Sequence, residues 1–172
     1  MDISTEDFST SAFRLFFRQW NALRSLQSDE TANALLKLFD SKLPIIKRRS
    51  DRLLHFPERR KSDASNFYIT RGDAGGNMIA DGECFYLVDW DSPVYAPPER
   101  DSWFCLRRDR AVVAFHKAFR ENGIEYRLRP ERLAYYCYKY FFACLTFYLE
   151  SYFDGGKADE NFAREVIGYF NC

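Results

Sequence analysis

Asp73 and Asn77 stand four residues apart in a polar, glycine-rich stretch, Arg71-Gly72-Asp73-Ala74-Gly75-Gly76-Asn77, and an apolar hairpin pattern then returns the chain to Asp89. One carboxylate on such a loop can accept a proton from a hydroxyl. An amide oxygen and a second carboxylate can share a divalent cation. Magnesium takes a few hard oxygen ligands and leaves room for phosphate oxygens. A base, metal ligands and a hairpin that fixes their separation are the minimal parts for phosphoryl transfer. Acids and glycines in a hairpin loop also serve plain turn chemistry, so the spacing alone leaves both readings open.

A reactive carboxylate works only when rigid elements hold it, and the flanking sequence supplies them. Asn66-Phe67-Tyr68-Ile69-Thr70 reads as a short strand entering the loop. Met78-Ile79-Ala80 and Cys84-Phe85-Tyr86-Leu87-Val88 flank Asp81-Gly82, a pattern that predicts a hairpin. Asp89-Trp90-Asp91 closes it, and Pro93, Pro97 and Pro98 mark a loop. Pro98-Glu99-Arg100-Asp101 reads as a helix start with acids in its first turn. Val112, Val113, Phe115 and Phe119 predict a further helical stripe. Pro130 opens the longest helix, which runs through Tyr135, Tyr136, Tyr140, Phe141 and Leu145 toward a stop at Gly155-Gly156. Residues 158–170 suggest a last short helix. Upstream, Phe13, Phe16, Phe17, Trp20 and Leu23 recur at helical spacing, as do Leu35, Leu36, Leu38 and Phe39. Pro44 breaks or restarts a helix, with Leu43, Ile45 and Ile46 facing inward. The order is helices, a small hairpin, then helices: an α+β chain that is mostly α.

Composition narrows the class. The 172 residues suit one domain, 1–172, with a single core. Lysines and arginines balance aspartates and glutamates at 25 each, which weakens any whole-molecule electrostatic case for nucleic acid or membrane. Aromatic residues make up 18%, and they fill core volume in few positions, so a heavily packed helical body is expected. The five cysteines, 84, 105, 137, 144 and 172, form no CxxC pair, and the acidic, polar start carries no signal-peptide pattern. Reduced thiols in the cytoplasm are the plain expectation. His55 and His116 lie too far apart to suggest a His/Cys zinc site. The apolar run Leu133 to Leu149 is interrupted by Lys139 and reads as a buried helix, not a membrane span. Residues 42–61 are basic and could form a phosphate-binding stripe. Phe56 is the one Phe, Tyr or Trp in that stretch, too few to interleave for base stacking, so a solvated helix face is the preferred reading, and nucleic acid is not an expected partner.

Three segments, Thr70 to Ile79, Leu87 to Asp91 and Ala96 to Phe104, together resemble the aminoglycoside phosphotransferase family. That family has a His-Gly-Asp loop with Asn four residues after the Asp, followed by a hairpin ending in Ile-Asp-Trp-Asp or similar. The Glu99-Arg100-Asp101 segment and Arg132-Leu133-Ala134-Tyr135-Tyr136-Cys137-Tyr138 look closest to its spectinomycin phosphotransferase branch. The resemblance covers residues 33 to 150. It implies a protein-kinase-like C-terminal lobe, with helices around a hairpin that carries the catalytic loop. It implies ATP and Mg²⁺ as cofactors, and transfer of a phosphoryl group to a hydroxyl of a small molecule, spectinomycin or another aminoglycoside as the first guess. Residue by residue, Asp73 matches the catalytic aspartate, Asn77 and Asp89 the magnesium ligands, and Asp101 the aspartate that holds the loop from below by hydrogen bonds. Asp91 and Glu99 are weaker candidates for contacting a cationic substrate, with capping and solvation as the alternative for both.

The departures from the pattern carry equal weight. Arg71 stands where the family has histidine. A cation beside Asp73 favours its charged form and weakens it as a base, though it could also touch phosphate. No V-A-I-K-like strand occurs, and Gly155-Gly156-Lys157 is followed by Ala158, so it is not a P-loop. The expectation is a C-terminal lobe whose nucleotide-binding N-terminal lobe is absent, with no nucleotide-binding residues assigned. Two function classes follow. One is an enzyme whose missing lobe comes from a separate chain or across a homodimer. The other is a non-catalytic remnant or binding module that associates through apolar surface left uncovered.

Overall fold

The helical spacing of the aromatic residues near the start becomes real helices in a computed structural model, which describes residues 2–26, 28–60, 66–72, 77–106, 108–155, 164 and 167–168, with backbone alone for 57–60. In chain order the elements are β1 (Ser4–Thr5), α1 (Ser11–Leu23), α2 (Glu30–Ser41), α3 (Leu43–Arg60), β2 (Tyr68–Thr70), β3 (Met78–Asp81), β4 (Cys84–Leu87), β5 (Val94–Ala96), α4 (Glu99–Ser102), α5 (Asp109–Glu121) and α6 (Pro130–Phe153). The chain is mostly helical with small sheets. It divides into two compact units, one of residues 1–8 and 59–137, the other of 9–58 and 138–172.

The second of these units holds α1, α2, most of α3 and the later turns of α6. Asp29 starts α2 by accepting a hydrogen bond from Ala32 N at 2.8 Å, the capping that frees a helix from an orphan donor. Phe16, Trp20, Phe39 and Phe142 form its aromatic centre, with Phe16 5.4 Å from Phe39 in an edge-on pair and 5.7 Å from Phe142. Such edge-on contacts add to the stabilisation from apolar burial. The basic α3 is not a purely solvated face, because Arg49 is buried with its guanidinium 4.8 Å from the Phe141 ring. Arg52 donates to Tyr138 Oη at 2.9 Å.

The other unit is built on a three-stranded sheet of order β1-β5-β2, with β1 parallel and β2 antiparallel to β5. Its core gathers Phe8, Phe67, Tyr135 and Tyr136; Phe8 meets Tyr135 edge-on at 5.2 Å. The hairpin β3–β4 forms its own two-stranded sheet, pairing Met78 with Leu87 through Asp81 with Cys84.

Several expectations need correction. Val94–Ala96, read as loop between prolines, is the central strand of the sheet, because the flanking prolines lie outside the paired residues. The hairpin turn is centred on Gly82-Glu83, one residue later than Asp81-Gly82, since Asp81 still pairs with Cys84; Gly82 supplies the positive φ of 61° that the first turn position needs. Val113 does not belong to an inward stripe, being 66% exposed, and Tyr140 also faces solvent. The short helix expected over 158–170 falls largely outside the described residues; 164, 167 and 168 are helical. Among the described residues no helix is long and apolar enough to cross a membrane.

Candidate functional site

The site is assembled where β2 ends. Thr70 is the last β2 residue paired to β5, opposite Val94. Its buried hydroxyl donates to Val94 O at 2.8 Å and accepts from Arg100 Nη1 at 3.0 Å. The same guanidinium nitrogen donates to Thr70 O at 3.0 Å. Two prolines, Pro97 and Pro98, lead β5 directly into α4, so Arg100 and Asp101 arrive beside the start of the loop. Asp101 accepts hydrogen bonds from both Arg71 N, at 3.0 Å, and Gly72 N. Charge-assisted bonds of this kind are stronger than neutral ones. Gly72 has φ +94°, and a Cβ there would lie 2.3 Å from Arg100 Cζ. Only glycine meets both demands.

The loop itself, residues 73–76, lies outside the described residues, and with it Asp73. The chain reappears at Asn77, whose carbonyl accepts from Val88 N at 3.0 Å. That bond continues the hairpin ladder by one step, so Asn77 and Asp89 flank the same end of the hairpin. Asp89 is in the left-handed region, φ 63°, a conformation aspartate tolerates better than most residues. Trp90 Nε1 donates back to Leu87 O at 2.8 Å and closes the turn after the hairpin.

Arg71 ties the two halves together. Its Nε donates to Val88 O at 2.9 Å and Asp89 O at 2.6 Å, and its Nη2 forms an ion pair with Asp89 Oδ2. The Arg71 side chain is 6% exposed and that of Asp89 47%. The pair is therefore anchored on the arginine side and open on the carboxylate side.

Glu99, expected as a contact for a cationic substrate, is fully buried at 0% exposure. Tyr126 Oη donates to its Oε2 at 2.7 Å and Arg129 N to its Oε1 at 2.7 Å. Arg132 Nη1 donates to Tyr126 Oη at 3.2 Å. Burial first, and then the bond to Glu99, hold the Tyr126 phenol far above its ordinary range. Glu99 therefore ties α4 to the segment before α6 and offers no solvent-facing charge. Asp91 is exposed beyond the hairpin. Thr70, Arg100, Tyr126 and Arg132 were not singled out from sequence. The dipeptide Glu99-Arg100 could have flagged Arg100, since adjacent charges at a proline-led helix start need partners.

Asn77 and Asp89 offer the hard oxygen donors that suit Mg²⁺, with phosphate oxygens and water completing its shell. They fit such an ion by donor type, with Arg71 already on one carboxylate oxygen. Among the described residues no cluster of three or more His, Cys, Asp or Glu side chains could hold a metal ion.

No protein-family profile matches the chain, and no curated protein matches it in sequence. Two solved structures match in fold. One is the spectinomycin phosphotransferase APH(9)-Ia in complex with ADP and spectinomycin, 19% identical with a TM-score of 0.72, covering 98% of this chain and 53% of that one. The other is the AMP-bound complex of the same enzyme, 18% identical with a TM-score of 0.66, covering 96% and 57%. The chain shares the fold of part of this phosphotransferase and spans little more than half its length. The resemblance read from the motifs holds at the level of the fold.

Proposed function

We propose that the chain is the C-terminal, acceptor-side lobe of a kinase-like small-molecule phosphotransferase, with an aminoglycoside such as spectinomycin as the first acceptor to test. The observation that carries this reading is the clamp of Asp101 on the N–H groups of Arg71 and Gly72, the two residues immediately before Asp73. A carboxylate that fixes the backbone there sets the direction in which the next side chain leaves. Asp73 accepts the proton of the acceptor hydroxyl at its carboxylate. Asn77 and Asp89 hold Mg²⁺, which when bound neutralises charge on the phosphoryl group. Asp91, exposed nearby in sequence, draws a cationic acceptor toward the site. Catalysis of this type is mostly positioning and charge stabilisation, and the Asp101 and Arg71 contacts provide positioning. ATP is the phosphoryl donor in this reading, and its adenine-side contacts come from an N-terminal lobe outside the 172 residues or from a second copy across a homodimer. The crystallised ADP and AMP complexes of the fold neighbour support nucleotide use. A cytoplasmic setting suits the thiols of Cys84, Cys105 and Cys144, none of which is in a disulfide.

A second reading, a non-catalytic binding module that dimerises or takes a partner, is favoured by one observation: the carboxylate of Asp89 is engaged by Arg71. Calorimetric titration of ATP and of inorganic triphosphate, with and without Mg²⁺, separates the two. Magnesium-dependent binding that disappears in Asp89→Asn is expected, together with ADP release in the presence of an acceptor. Absence of both nucleotide and inorganic triphosphate binding at every magnesium concentration, in monomer and dimer fractions alike, would overturn the phosphotransferase reading in favour of the second, because the metal–phosphate contacts are the ones this chain's own residues supply.

A further inference from the structure

We propose that the Arg71 guanidinium is a tethered counter-ion that withholds Asp89 from divalent cations, so that Mg²⁺ or Mn²⁺ gains this carboxylate only when Arg71 releases it. The inference deepens the metal-site part of the phosphotransferase reading and rests on it.

Three features of the geometry carry it. First, Arg71 is doubly anchored: Nε donates to both Val88 O and Asp89 O, which fixes the head group before it reaches any charge. An uncharged donor would satisfy those two carbonyls, whereas the contact of Nη2 with Asp89 Oδ2 uses the positive charge. Second, burial is one-sided. The arginine is sequestered while the carboxylate is half open to solvent, so ions can approach Asp89 but meet a fixed cation there. Like charges at such separations repel with little screening where one partner is buried. Third, the left-handed backbone at Asp89 turns its carbonyl and its carboxylate toward one guanidinium. The same residue supplies two acceptors, so releasing the carboxylate leaves the arginine held by its carbonyls and ready to return.

Arg71 is thus a positioning residue for the backbone of 88–89 and a competitor for the metal, and the two roles separate experimentally. Mn²⁺ binding is followed by electron paramagnetic resonance of the free ion on the full chain, on Arg71→Gln and on Arg71→Gln combined with Asp89→Asn. Glutamine keeps an N–H donor for the carbonyls and removes the charge. Mn²⁺ affinity should rise by about tenfold or more in Arg71→Gln, the scale on which neighbours of metal ligands act, and the gain should vanish when Asp89 is also replaced. Should Arg71→Gln fail to fold, Arg71→Met, which keeps an unbranched side chain and carries neither charge nor a hard donor for Mn²⁺, gives the same expectation. Thermal melting without metal reports the purely structural share of Arg71. Equal Mn²⁺ affinity in the native chain and the Arg71 variants overturns the inference, as does a gain that survives loss of Asp89. Tight binding by the native chain that needs Asp89 overturns only the inference and leaves the phosphotransferase reading standing. Failure of that reading appears separately, as no magnesium-dependent binding of nucleotide or inorganic triphosphate by any variant.

Discussion

At the scale of single residues, the site rests on Gly72 as much as on any acid. Its φ of +94° strains any L-residue, and a side chain there would also have to push the Arg100 guanidinium aside. Gly72→Ala should destabilise the protein by about 1–3 kcal/mol, the cost of holding an L-residue in a sparsely populated backbone region, with more if Arg100 must give up Thr70. Chemical denaturation measures this, and a change within error of zero would mean that the loop relaxes freely around position 72. The positions of Arg71, Asn77 and Asp89 about one end of the hairpin, and of Asp101 beneath the start of the loop, were legible because each sits at a fixed offset in a short motif; position alone does not assign what they bind. The place of Glu99 was not legible. A glutamate in the first turn of a helix reads as solvated, and its burial is decided by Tyr126 and Arg129, which lie in the loop after α5. No local spacing encodes that distance.

At the scale of elements, the helices were legible and the shortest strands were not. Aromatic periodicity over α1 and the proline at the start of α6 are strong signals repeated over several turns. β1 has two residues and β5 three, too few for any alternation to register. The segments that enclose Glu99 and Glu6 also make a pH prediction. Burial raises the phenols of Tyr126, Tyr135 and Tyr136, with Glu99 adding to the first and Glu6 to the other two. In the unfolded chain a tyrosine ionises near about pH 10. The folded state keeps these protons at pH values where the unfolded state has lost them. Stability from these groups is therefore complete below about pH 10 and falls as pH rises above it. The denaturation midpoint should decline through this alkaline range, and Tyr136→Phe should flatten the decline. A midpoint independent of pH up to about 11 would show that these phenols ionise freely in the folded protein.

At the scale of the whole molecule, the order of elements and the kinship of the fold were legible from motifs, while the division into two units was not. One continuous set of periodic helices gives no sign of where internal packing separates, since α3 and α6 each contribute to both units. The hairpin β3–β4 has a further consequence. It pairs with no third strand among the described residues, so both outer edges are open to another strand, and Met78, Ile79, Phe85 and Tyr86 are all exposed, Phe85 by 78%. Open edges lined by apolar and aromatic side chains are templates on which another chain can lay a strand. The acids at its tip, Asp81 and Glu83, are its gatekeepers. Concentrated solutions should therefore develop β-rich, thioflavin-positive assemblies, and Phe85→Lys should slow their growth; growth at an unchanged rate would place the nucleating segment elsewhere. The ribbon that presents Asp89 to solvent thus also limits how crowded a solution of this protein can become before it begins to precipitate.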